Sequence, residues 1–146
     1  MTLLFRATCE IAAADAKLAL VQKLLRSPQS QFACLYEAAK PTQEAAKTNA
    51  PYHSGKLAGN IRSVEIGPGM LAVRTDLPYS WMRERGGTIV PKRASLLHWF
   101  DYGGGEHFAS SVTQTGTHYM QRAYEETRLA IPVIYLRTLL AQIEAL

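Results

Sequence analysis

The spacing of apolar residues changes period along this chain, and that change constrains the fold class. Ile11, Ala14, Leu18, Val21 and Leu25 are spaced 3, 4, 3, 4, which lines one face of a helix. Leu18, Val21 and Leu25 are expected to pack on the C-terminal helix or the sheet. Ser27-Pro28 ends this helix, because a residue before proline avoids helical dihedrals. Phe32, Leu35, Tyr36 and Ala39 restart the same spacing. Pro41 is expected to interrupt it, with Thr42 capping a further short turn that runs to Asn49 before Ala50-Pro51 stops it.

The middle of the chain reads as strands. Ile61, Val64 and Ile66 lead into Gly67-Pro68-Gly69, and Leu71, Val73 and Thr75 follow, which is the pattern of a hairpin. Leu57 and Ile61 fit a short helical turn before it. Pro78 to Trp81 reads as extended, and Arg83 to Ala94 as a long loop holding Gly86, Gly87 and Pro91. Leu96 to Tyr102 and His107 to Thr113 flank Gly103-Gly104-Gly105, a second hairpin. From Thr117 the helical period returns through Tyr119, Ala123, Ile131 and Ile134 to Leu136, Leu139, Leu140 and Ile143. Pro132 should kink that helix or split it in two. Helices, then strands, then a long helix make the chain α+β.

With 146 residues the chain is most simply one domain, and 47% hydrophobic residues allow a real core. Its 19% charged content is below the usual level of about a quarter, which favours some surface reserved for protein contacts. The longest apolar run, Leu129 to Leu136, is far short of the roughly 20 residues of a membrane span. Met1 to Glu10 lacks the apolar stretch of a secretory signal, so a cytosolic chain is expected. Cys9 and Cys34, on separate helical stretches and outside any C-x-x-C pair, are expected to be reduced, buried thiols. The net charge of +4 comes from scattered Lys and Arg, with no run of five like charges.

Several motifs fail on inspection. Ser54-Gly55-Lys56 lacks the upstream Gly and the following Ser or Thr of a phosphate loop, because Ala50 and Leu57 hold those places. Gly67-Pro68-Gly69-Met70-Leu71-Ala72 spells a dinucleotide fingerprint but runs into a strand, not a helix. His53, His98, His107 and His118 show no metal-ligand spacing. His98, Asp101, Glu106 and His107 are close enough to meet across a hairpin, where an acid–base or metal site would have to lie; the plainer reading is polar positions alternating with Leu97, Trp99 and Phe108. No Ser stands in G-x-S-x-G, and Ser110-Ser111 read as strand residues. No catalytic, metal or cofactor set is therefore assigned. Arg83, Glu84, Arg85, Lys92 and Arg93 form the densest charged neighbourhood, on the expected loop. They read either as solvated surface with local ion pairs or as a subunit-interface or channel-facing patch.

Three stretches carry a family likeness: Ala50 to Leu57, with P-x-x-S-G-K-L; Pro78 to Thr88, with Y-x-x-x-x-E-x-G-G; and Gly116 to Ala123, with G-x-x-Y-M-x-x-A. Together they resemble the neck and tail-completion (head–tail joining) proteins of long-tailed bacteriophages, over the region from Ala45 to the C-terminus. Arg85 directly before the glycines, and the run Gly103 to Gly105, depart from the family pattern. The resemblance implies helices, a small twisted antiparallel sheet and a closing helix in one domain. It implies a non-enzymatic virion protein without cofactor, assembled in the host cytoplasm. Its copies would form a ring of six or twelve that joins the head portal complex to the tail and continues the DNA channel. Its partners would be itself, the neighbouring portal, adaptor or head-closure and tail proteins, and packaged DNA by proximity, with no membrane. A tail terminator capping the tube is the nearest alternative. A basic nucleic-acid-binding module, suggested by the pI of about 9.2, and a small enzyme built on the His98–His107 hairpin lie further off.

Overall fold

The computed structural model describes residues 15–52, 54–101 and 103–146. Residues 15–26 are helical (α1). They are followed by α2 (Pro28–Asn49), α3 (Lys56–Asn60), β1 (Arg62–Gly67), β2 (Met70–Arg74), α4 (Ser80–Arg85), β3 (Gly86–Ile89), β4 (Leu97–Phe100), β5 (Glu106–Ala109), β6 (Val112–Thr115), α5 (Tyr119–Thr127) and α6 (Ala130–Glu144). The chain is α+β, with helices at both ends of a strand-rich middle. Ile11, Ala14 and Cys9 of the expected first helix lie outside the described residues.

Helix α2 is the spine. Ser27 breaks the chain after α1 with extended dihedrals and caps α2, its hydroxyl accepting from the Ser30 N–H, with Pro28 in the first turn. Proline suits that place because the amide it lacks would be unpaired there anyway. The expected interruption at Pro41 does not occur: α2 runs through it for 22 residues. One backbone bond is lost there, but packing holds the helix on both sides of the gap. Ser30 donates to Gln142 of α6, and Thr42 pairs with Thr127 of α5 at 2.7 Å. Asn49 donates to Glu126 at 3.1 Å. Thus α6 and α5 run antiparallel to α2, one over each half. Small residues line the contact, with Cys34, Ala38 and Ala46 buried.

The C-terminal helix is split, not kinked. The break lies at Arg128–Leu129, and Pro132 falls in the first turn of α6. A proline ring collides with the carbonyl four residues back, which here is Arg128.

The strands do not merge into the single sheet implied by the family likeness. They form three two-stranded antiparallel ladders, β1–β2, β3–β6 and β4–β5. Both expected hairpins are present, with Arg62 opposite Arg74 in the first and His98 opposite Phe108 in the second. The β3–β6 ladder pairs Gly86 with Thr115 and Ile89 with Val112, and so encloses the β4–β5 hairpin. Ser110 and Ser111 lie between β5 and β6, not in a strand. The core joins α2, α3 and α5 through Ala46, Ala50, Leu57, Ile61, Tyr119 and Ala123. Gln43 of α2 ties the first hairpin to it, accepting from the Ser63 N–H at 2.8 Å and the Ser63 hydroxyl at 2.7 Å.

Candidate functional site

The five charged residues singled out from sequence do not share one loop. Arg83, Glu84 and Arg85 belong to α4, where an extended segment and then a loop were expected. Gly86 and Gly87 begin β3, and only Lys92 and Arg93 lie on the irregular connection to β4. Helix α4 forms because its C-terminal end is needed as a cap for α5. The Arg83 and Glu84 carbonyls accept from the Thr117 and His118 N–H groups at 2.8 and 3.0 Å. His118, the N-cap of α5, has a left-handed φ of 50° and offers no side-chain cap. Glu84 replaces it: its carboxylate accepts from the Met120 N–H at 2.9 Å and the Gln121 N–H at 3.1 Å. A carboxylate at this end also meets the positive pole of the helix.

Two glycines make that approach possible. A Cβ on Gly116 would lie 2.5 Å from the Arg85 carbonyl carbon, and one on Gly86 would lie 2.5 Å from the Gly116 nitrogen. Tyr119 then enters the core beside Leu57 and Ala50, 1% exposed. Burial, and secondarily the Glu84 charge, push its hydroxyl pKa up to about 12. On the far side of α4, Arg83 and Tyr79 line a cleft of about 380 Å³ with Pro51, Tyr52 and Lys56. The stretches Ala50 to Leu57, Pro78 to Thr88 and Gly116 to Ala123 are therefore neighbours: the first and third share the core, and the second caps the third and borders the first.

The remaining charges point outward. Arg85 is exposed and stacks its guanidinium 4.1 Å from the Trp81 ring centroid. Lys92 and Arg93 are exposed at the base of the β4–β5 hairpin. The hairpin itself is an arm with aromatic side chains open to solvent, Trp99, Phe100 and Phe108 among them.

The four polar residues of that arm meet in two pairs, not one cluster. His98 contacts Glu106 at 2.8 Å, and His107 contacts Asp101 at 3.0 Å. Alternation along the ribbon puts His98, Phe100, Glu106 and Phe108 on one face, and Trp99 and His107 on the other. The pairs thus cannot converge on one substrate atom. Asp101 serves the turn: it also accepts from the Gly105 N–H at 2.7 Å. The His107 bond, and then backbone N–H bonds, hold its carboxyl below the usual range. Among the described residues, no three His, Cys, Asp or Glu side chains are grouped to hold a metal. No described helix is long and apolar enough to cross a membrane.

Comparison with known protein families, with curated proteins and with solved structures gives no match.

Sequence reasoning missed two surfaces. The helical stripe of α1 is not core: Leu18 is 57% exposed and Leu25 is also exposed. Helix α6 packs Ile134, Thr138 and Leu139 inward but leaves Val133, Leu136 and Leu140 exposed, with its N-cap Leu129 exposed beside them. The signal for the second was present, since α6 carries apolar residues on more than one side and a single helix has only one face to bury against α2.

Proposed function

We propose that this chain is a structural virion protein of the phage neck, a ring subunit that joins the portal complex to the tail and continues the DNA channel. The observation that supports it most is the convergence of the three family-like stretches. Residues scattered from Ala50 to Ala123 build one framework: Ala50, Leu57, Tyr119 and Ala123 share a core, while Glu84 closes the helix that carries two of them. A likeness spread over unrelated surface positions would mean less. The framework holds out an arm with exposed aromatics and a basic base, which suits a part that reaches a neighbour.

Within this reading the five charged residues divide by role. Glu84 holds the framework and Arg83 lines the cleft against it. Arg85, Lys92 and Arg93 face a neighbouring subunit or the channel.

The test is deletion of the gene from the phage that carries it, followed by electron microscopy of the lysate. The reading expects filled heads and tails of normal length that fail to join. Tails of uncontrolled length would instead identify a tail terminator, because an uncapped tube keeps growing. Normal virions would exclude both. Complementation with Arg85→Glu, Lys92→Glu, Arg93→Glu should restore less joining than the parent chain while the thermal midpoint stays close to it, since exposed charges contribute only about 0–1 kcal/mol a pair to folding.

A further inference from the structure

We infer that the exposed face of α6 is covered by helix α1 of a second copy of this chain, packed antiparallel as a short coiled-coil seam. Leu129, Val133, Leu136 and Leu140 are spaced 4, 3, 4, the a/d pattern of a seam that needs a partner helix. All four are exposed, Val133, Leu136 and Leu140 on α6 and Leu129 at its N-cap, with Leu136 at 56%. One other described helix carries a stripe of the same period, spaced 3, 4: Leu18 and Leu25 on α1 are exposed, and Val21 between them is half-buried.

The two stripes fit in one register. Run antiparallel, Leu18 lies opposite Leu136, Val21 opposite Val133 and Leu25 opposite Leu129. The same register sets Asp15, at the edge of the α1 stripe, opposite Arg137, at the edge of the α6 stripe; both are exposed. The apolar layers and the opposite charges thus agree on one alignment. The twelve described residues of α1 span about 18 Å, enough for these three layers.

The area of the chain calls for such a cover. Its accessible surface is 10906 Å², against about 7,500 Å² for a compact monomer of 16.2 kDa. Granting residues 1–14 the full area of an unfolded chain, about 2,100 Å², still leaves the rest roughly 1,800 Å² above a compact protein of its mass. A stable interface takes about 800 Å² from each partner, so the excess matches two such patches per copy. The α1 and α6 stripes are two different patches. A contact between unlike patches is head-to-tail, and it closes into a ring when the rotation between copies permits. The seam itself stands on the helix faces alone; only its use in a ring rests on the neck reading.

Disulfide trapping tests it. In a chain with Cys9→Ser, and with Cys34 buried, a Val21→Cys copy is mixed with a Val133→Cys copy carrying a size tag, under mild copper oxidation. The expected result is a linked pair formed at least tenfold faster than from Leu20→Cys with Val133→Cys, where position 20 is off the stripe. Arg137→Asp in the tagged copy should slow the linking several-fold, and Asp15→Arg in its partner should restore it. Linking no faster than the off-stripe control overturns the seam. The double variant Val21→Cys, Val133→Cys separates the remaining cases. A ladder of linked chains supports a head-to-tail seam. A product that stops at two supports the seam but overturns its use in a ring. A monomer linked within itself overturns the second copy as the occupant.

Discussion

The Glu84 carboxylate accepts the Met120 N–H at 2.9 Å, across 36 residues of sequence. With the Gln121 N–H it satisfies two of the four amides that a helix N-terminus leaves unpaired. Removing it with Glu84→Ala should cost about 1–2 kcal/mol of stability, the size of a lost N-cap. Glu84→Gln retains one acceptor and should cost less. Urea denaturation of the two variants checks the order; equal and negligible losses would mean that water serves α5 as well as Glu84 does.

Gly86 and Gly116 meet backbone to backbone, so neither has room for a methyl group. Gly86 also has a φ of 75°, which L residues seldom adopt. Gly116→Ala and Gly86→Ala should each lower stability by about 1–3 kcal/mol or more, the usual cost of overpacking rigid surroundings. Gly59→Ala is the internal control, because a Cβ there meets nothing within 4 Å. Thermal midpoints of the three variants should separate the pair from the control.

Leu57 and Leu18 looked alike as apolar positions on helical stretches, but only Leu57 is core, at 5% exposure. Leu57→Ala should cost about 2–5 kcal/mol. Leu18→Ala should stay within about 1 kcal/mol in the isolated chain, as exposed substitutions do. Comparable losses would place α1 against the body of the same chain.

The stability of Tyr119 depends on pH in a defined direction. Its hydroxyl pKa rises from 10.0 to about 12 on folding, so the folded chain favours the protonated form. That stabilisation is complete below pH 10, declines as pH rises toward 12 and is lost above it. Tyr119→Phe has no such proton and should lose stability less steeply over that window. Denaturant titrations at pH 9, 10 and 11 compare the slopes; parallel slopes would contradict the burial of the hydroxyl.

Much of the fold was legible because local rules decided it. Gly67-Pro68-Gly69 and Gly103 to Gly105 mark their hairpins, Ala50-Pro51 ends α2, and Leu57 and Ile61 form the short turn that seats both in the core. What was misread depends on distant partners. Pro41 looked like a stop because its lost bond is local, while the α5 and α6 contacts that hold α2 together come some 85 residues later. Tyr79-Ser80-Trp81 looked extended because the reason for α4 is the unpaired N-terminus of α5. The α1 stripe looked like core because apolar spacing reports that a face is to be covered, not by which chain.

The most direct measurement of the neck assignment is the position of the chain in the assembled particle. Virions carrying a C-terminally tagged copy, imaged by cryo-electron microscopy, should show the tag as a ring of density between portal and tail, around the DNA channel. Tag density at the head shell, along the tail tube or at the distal tip, or purified virions that contain none of the chain, would contradict it.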